Sequence, residues 1–108
     1  MNDKLFILNA GTTNENREPQ GAQDVVNRFR TNERVYGWVQ IAGATANDRL
    51  DVQVYINDAP QQPQVVAVTK TAGIQVFPLN PGVFPAGYHR WSVTYATRGG
   101  QNREFTVA

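Results

Sequence analysis

Gly87-Tyr-His-Arg-Trp-Ser-Val-Thr-Tyr95, Arg98-Gly-Gly-Gln101 and Arg103-Glu-Phe-Thr-Val107 stand close together at the end of the chain, and their reading decides the fold. Over Tyr88–Ala96, His89, Trp91, Val93 and Tyr95 share one side, while Tyr88, Arg90, Ser92 and Thr94 share the other. A period of two residues belongs to a strand with one face on a core and one toward water. The first set is therefore the expected buried one. Arg98-Gly-Gly-Gln101 suits a tight hairpin, because glycine adopts the positive backbone angles that a short connection needs. Glu104–Val107 then returns as the last strand, with Phe105 and Val107 inward.

The same reading extends toward the N-terminus. Ile74–Phe77 and Val65–Thr69 are short apolar runs, and Leu50–Asn57 sets Leu50, Val52, Val54 and Ile56 against Asp51, Gln53, Tyr55 and Asn57. Arg34–Ala42 is a further strand, and Lys4–Asn9, with four consecutive apolar residues, reads as a buried first one. Between these lie breakers. Ala59-Pro-Gln-Gln-Pro63 predicts a turn or a protective edge, since proline donates no ladder hydrogen bond. Leu79–Gly87 predicts a crossing loop whose Leu79, Val83 and Phe84 cap one end of the core. Asp24–Arg30 is open between one helical turn and an extended segment, with Phe29 plugging the core in either case. About seven strands without a long helical stretch predict an all-β, antiparallel sandwich of the immunoglobulin-like or fibronectin-like kind, in one domain spanning residues 1–108.

Composition excludes more chemistry than it suggests. The 108 residues contain no cysteine, so there is neither a disulfide framework nor a thiolate nucleophile or metal ligand. Ten basic against nine acidic residues leave a net charge of +1, too small a field to attract nucleic acid or an anionic membrane. Met-Asn-Asp-Lys-Leu-Phe-Ile-Leu offers too short an apolar stretch for a signal peptide, and no run reaches the roughly 20 apolar residues of a spanning helix. A soluble chain with no membrane insertion is expected, its location left open.

One histidine and one serine are present. His89 and Ser92 are three apart on one predicted strand and so project from opposite faces, which forbids proton transfer between them. His89 is instead expected at the mouth of the core, partly buried and hydrogen-bonded to loop backbone. Asp51 and Glu104 are the strand carboxylates available to a glycosidase, which needs about 5–10 Å between them across a cleft. Asn47-Asp48-x-x-Asp51 and Asn57-Asp58 hold oxygen ligands that calcium could use, but they lack the dense alternation of a calcium loop, and turn formation explains them better. No cofactor, no metal and no catalytic residue is assigned, and a non-enzymatic role is expected.

The aromatic residues carry the strongest functional signal. With Val35, Val39 and Ile41 on the core, Tyr36 and Trp38 face outward, as does Tyr55 on the following strand, and neighbouring strands would join them in a flat platform beside Gln40, Gln53 and Asp51. Trp and Tyr pair a large apolar area with a polar handle, which suits a protein partner or a stacked sugar ring. The opposite orientation, with Trp38 as the core tryptophan and Gly37 beneath a neighbouring loop, is equally open.

Asn16-Arg-Glu-Pro19, Phe29, Val35-Tyr-Gly-Trp38, the Gly-x-x-x-Trp-x-Val stretch at Gly87–Val93 and Phe105-Thr-Val107 together resemble a bacterial family of small immunoglobulin-like domains of unknown function. Gly73–Leu79 stands where that family carries a Trp-Arg-x-Trp-Ser segment. The resemblance implies the fold and a role as a domain appended to larger regulatory or membrane proteins, and it brings no catalytic residue. The sequence reading is thus a protein–protein contact or assembly module, an accessory domain of a bacterial protein or a subunit of a surface or viral assembly, whose partner is another protein or a copy of itself. The alternative is a carbohydrate-binding module that stacks a glycan on Tyr36, Trp38 and Tyr55.

Overall fold

A computed structural model describes residues 2–15, 26–96 and 98–108, without the side chains of residues 98 and 99. The features expected at Asn16–Pro19 and at Asp24 and Val25 lie outside the described residues. The chain is all-β, with strands β1 (Phe6–Thr13), β2 (Arg28–Phe29), β3 (Arg34–Ala42), β4 (Arg49–Ile56), β5 (Ala59–Pro60), β6 (Gln64–Ala67), β7 (Gly73–Val83), β8 (Gly87–Tyr95) and β9 (Arg98–Val107). Among the described residues nine strands replace the expected seven, and the two additional ones, β2 and β5, are two residues long. One sheet has the order β1-β3-β7. The other has the order β2-β9-β8-β4-β5, with β6 also paired to β4. All pairings are antiparallel except β2 with β9.

Alternation in the last strands is as their sequence dictates: His89, Trp91, Val93 and Tyr95 are buried, and so are Phe105 and Val107. From β4, Leu50, Val52 and Val54 join them, and Val35, Val39 and Ile41 of β3 meet them from the facing sheet. The Trp91 indole and the Phe77 ring of β7 meet edge to face, with centroids 5.7 Å apart and planes at 84°. Gly37 makes room for this contact, because a Cβ there would lie 3.0 Å from the Phe77 ring. At one end of the core, Phe105 takes Phe29 at 5.7 Å and Phe84 at 5.1 Å, both edge to face. Phe29 is the expected plug, held by the short parallel pairing of β2 with β9.

Four expectations need correction. The first strand starts at Phe6 and runs to Thr13, and of the apolar run only Leu5 is fully buried, whereas Phe6 and Leu8 are exposed. The reason is that β1 is an edge strand with a register shift between Ile7 and Asn9, which turns Leu8 out of the pairing. Strand β7 is not confined to the expected run Ile74–Phe77 but continues through Pro78 and Pro81 to Val83. It too is an edge strand, where a missing N–H costs the sheet nothing on its open side. Leu79 and Phe84 cap the core as expected, but Val83 is exposed. Lastly, Arg98–Gln101 already belongs to β9, and the positive angle of the preceding turn falls on Ala96, at φ 51°.

The described part of the N-terminus is tied down by Asp48. Its carboxylate accepts hydrogen bonds from Asn2 Nδ2 at 2.7 Å, the Thr45 N–H at 2.8 Å and the Tyr95 hydroxyl at 2.7 Å. The Asn2 side chain first, then Thr45 and Tyr95, hold the carboxyl down at about 2 against an ordinary 3.8. Asp48 thus ties a turn together through hydrogen bonds, and no group of three or more His, Asp or Glu side chains placed to hold a metal ion occurs among the described residues.

Trp91→Ala should cost ~3–5 kcal/mol in chemical denaturation, the range for truncating a buried large aromatic. A loss below about 1 kcal/mol would contradict the central role of this side chain. Because the folded Asp48 carboxyl lies below its ordinary value, its stabilisation is complete above about 4 and is lost as pH falls toward about 2. Asp48→Asn should lower the urea midpoint at neutral pH and flatten its decline across that acid window. Glu33, lowered first by the Arg30 N–H and then by Asn14, keeps part of the slope. An unchanged acid limb would show that Asp48 does not carry this linkage.

Candidate functional site

Where β4, β8 and β9 lie side by side, the outward half of their alternation forms one continuous face. It carries Asp51, Gln53 and Tyr55 from β4, Tyr88, Arg90, Ser92 and Thr94 from β8, and Asn102 and Glu104 from β9. Cross-strand pairing sets Tyr55 beside Arg90 and Arg90 beside Glu104. The Arg90 guanidinium lies 3.8 Å above the centre of the Tyr55 ring, a cation–π arrangement that spreads both side chains flat on the sheet. Asp58 approaches Arg90 Nε at 3.8 Å. Both partners are open to water, so the pair orients the arginine more than it stabilises the fold.

Next to this stack, Tyr88 is 48% exposed. Its hydroxyl is hydrogen-bonded to Glu104, which is the main reason that the phenol is pushed above its usual range. Tyr88 and Glu104, with Asn27, Arg28 and Thr106, line a cleft of about 240 Å³. A second, shallow cleft of about 320 Å³ lies between Gln61, Gln62, Pro63, Asn80 and Pro81, and its Gln61 carbonyl accepts from the Gln53 amide.

The face is fixed from inside. The turn after β4 places Asn57 and Asp58 at φ 48° and 68°. The Asn57 N–H donates to His89 Nδ1 at 3.1 Å, and Asn57 Oδ1 accepts from the Tyr88 N–H at 3.3 Å. His89 Nε2 lies 2.8 Å from the Pro85 carbonyl, so Nδ1 accepts and Nε2 donates. The histidine is fully buried rather than partly so, and it is bonded to loop backbone as its sequence position suggested. Ser92 projects to the other face, so the two form no dyad. Asp51 and Glu104 share the outer face but lie two strands and four residues of β8 apart. At standard spacings that is about 10 Å across and about 13 Å along the sheet, beyond a glycosidase pair.

The five residues singled out in the sequence do not form one platform. Tyr36, Trp38 and Gln40 lie on the outer face of the three-stranded sheet, and Tyr55 and Gln53 on the outer face of the six-stranded one. They occupy opposite sides of the sandwich because the β3–β4 connection crosses between sheets instead of forming a hairpin. Trp38 is only 6% exposed although Val35, Gly37, Val39 and Ile41 take the core side. Its indole lies across Gly11, its partner on β1, and a Cβ on Gly11 would come within 2.6 Å of the ring. Neither of the two orientations open to the sequence describes this: Trp38 is outward by alternation and buried by folding onto its neighbour. Gln40 is exposed and Tyr36 half-buried, whereas the Gln53 amide is spent on the Val54 and Gln61 carbonyls.

Tyr88, Arg90 and Arg28 are the site residues that sequence reading missed, and Glu104 and Asp58 entered it only as candidate carboxylates for other chemistry. The alternation at Tyr88–Thr94 does mark the outward set, but only the strand order shows that it adjoins Tyr55. No protein-family model matches the chain, and no curated protein matches it. Among the described residues, no helix is long and apolar enough to cross a membrane.

Gly11→Ala should destabilise the domain by ~1–3 kcal/mol, the usual cost of forcing extra volume into a filled contact, and should lift the Trp38 indole. Acrylamide quenching will show it. Wild-type tryptophan emission should be poorly quenched, since Trp38 and Trp91 are both buried, and the variant should gain one accessible component. Strong quenching of the wild type would contradict the buried position of Trp38.

Proposed function

We propose that this chain is a non-enzymatic contact module that engages another protein surface, or a copy of itself, through the outer face of its six-stranded sheet. The observation that carries the reading is the ordered array Tyr55–Arg90–Asp58 beside Tyr88–Glu104. Tyrosine and arginine are enriched among residues that dominate binding energy, because they bury large areas and still offer donors. Here both are held in one conformation by neighbours, so a partner has little side-chain freedom to remove. The immunoglobulin-like arrangement suggested by the sequence resemblance supports a domain appended to a larger bacterial protein or used in a surface assembly.

The non-enzymatic part of the reading is supported by His89, whose two ring nitrogens are both engaged with backbone, and by the separation of Asp51 from Glu104. A carbohydrate-binding role has lost its original basis in a joint Tyr36–Trp38–Tyr55 platform. It retains one favourable observation, the exposed Tyr88 ring beside the polar groups of its cleft.

Binding to a glycan array and light scattering over rising concentration separate the two readings. A contact module should leave the array blank, and wild-type association at this face should weaken at least about tenfold in Arg90→Ala and Tyr88→Ala, as expected for central interface residues. Glycan binding by a strictly monomeric chain, lost in Tyr88→Ala with the fold intact, would overturn the proposal in favour of the carbohydrate reading.

A further inference from the structure

His89 is the single histidine of the chain, and its ring is enclosed by Phe84 and Phe105, with centroids 5.5 and 5.4 Å away. Its two nitrogens meet main-chain groups of opposite kinds, the Asn57 N–H at Nδ1 and the Pro85 carbonyl at Nε2. Only a neutral imidazole serves both, because it alone offers one acceptor and one donor. The charged ring has two donors.

The residue that Nδ1 holds is in a backbone state that needs holding. Asn57 and Asp58 are the two-residue turn between β4 and β5, at φ 48° and 68°, a region that residues other than glycine keep where their surroundings fix them. Three contacts fix Asn57: its N–H on His89, its Oδ1 on the Tyr88 N–H, and its side chain against Gly87, where a Cβ would collide with that oxygen. Asp58 comes next in the chain and stands 3.8 Å from Arg90 Nε.

We infer that proton uptake by His89 releases the Asn57–Asp58 turn and with it the pose of Arg90, so that mild acid disengages the outer face. The proton comes from water and takes the Nδ1 lone pair that the Asn57 N–H had used, which leaves donor facing donor. Histidine is the side-chain type whose charge ordinarily changes between about pH 5 and pH 8, and such a change commonly works a switch. The ring is fully buried, so it meets water as the turn opens, and opening and protonation favour each other. Given the outer face as the contact surface, on which this step rests, the neutral form is the engaging one.

No charged neighbour among the described residues takes over the lost bond. The ring faces Phe105 from β9, Phe84 and Pro85 from the link between β7 and β8, and the Asn57 backbone from the end of β4. The titratable groups on these elements, Asp58, Tyr88, Arg90 and Glu104, stand on the outer face. Beside Phe29 and on the facing sheet, Arg28, Arg30 and Arg34 are exposed and Glu33 is partly so. Asp48 and Tyr95, the other buried titratable side chains among the described residues, bond to each other, with Tyr95 six residues further along β8. The hydrogen bond to Asn57 is therefore lost without replacement.

NMR spectra of the whole chain, recorded from about pH 8 to about pH 5, test the switch without any partner. The single imidazole reports proton uptake directly. At the same midpoint the Asn57 and Tyr88 amides and the Arg90 Nε signal should shift, and the Asn57 amide should lose roughly tenfold of its protection from hydrogen exchange, the worth of one hydrogen bond, while Val93 keeps its own. Asp58 is 85% exposed, so Asp58→Asn should leave the fold intact; in it the Asn57 amide should still follow His89 while the Arg90 signal no longer does. An imidazole that takes up no proton in this range, turn signals that stay fixed or move at another midpoint, or an Arg90 response unchanged in Asp58→Asn would each overturn the switch. Any of these leaves the contact proposal standing, and glycan binding that overturned that proposal would leave the coupling of His89 to the turn in place.

Discussion

The edge-on contact of Trp91 with Phe77 is the constraint on which the remaining structure depends. These rings come from different sheets, and their perpendicular arrangement sets how the sheets face each other at the centre. Gly37 gives the Phe77 ring its place, and flanking positions must then be filled by residues of matching depth, which β-branched Val39, Val52 and Val93 provide. A close-packed interior transmits any change of volume at such a point to its neighbours. Both the central strand of one sheet and the edge strand of the other are therefore committed by one ring pair.

Facing sheets share no backbone ladder, so their flanks need another kind of closure. Three side chains supply it here. Gln64 and Gln75 each offer one donor and one acceptor to main-chain groups across the β6–β7 side, imitating a peptide unit. Arg103 reaches from β9 to the Ala10 carbonyl on the opposite flank. Such closures satisfy backbone groups that would otherwise be exposed edges or buried without a partner.

This division explains what the sequence made legible. The inward sets of β4, β8 and β9, the plug at Phe29 and the two-layer all-β class follow from local alternation and residue size, and they could be read directly. Sheet membership could not, because a period of two states which residues share a face and says nothing of which strand lies alongside. Placing Tyr36 and Trp38 next to Tyr55 assumed that consecutive strands pair, a rule that fails about a third of the time. Trp38 shows a second limit. Its alternation points outward, yet the bare Gly11 on the adjoining strand allows the indole to lie down, a pairing between residues 27 positions apart in sequence that periodicity cannot express. The prolines in β7 misled for a third reason: their cost depends on whether a strand is central or peripheral.

The hydrogen bond between Asn57 and His89 links the interior to the outer face. Through it a buried imidazole sets the turn that holds Asp58, and Asp58 in turn stands against Arg90. The packing of the aromatic end of the core, where His89 lies among Phe84 and Phe105, is therefore registered on the surface as the pose of one guanidinium. A change confined to that hydrophobic end would alter the outer face without exchanging any exposed residue, so the chemistry the surface presents can be tuned by substitutions made inside the core.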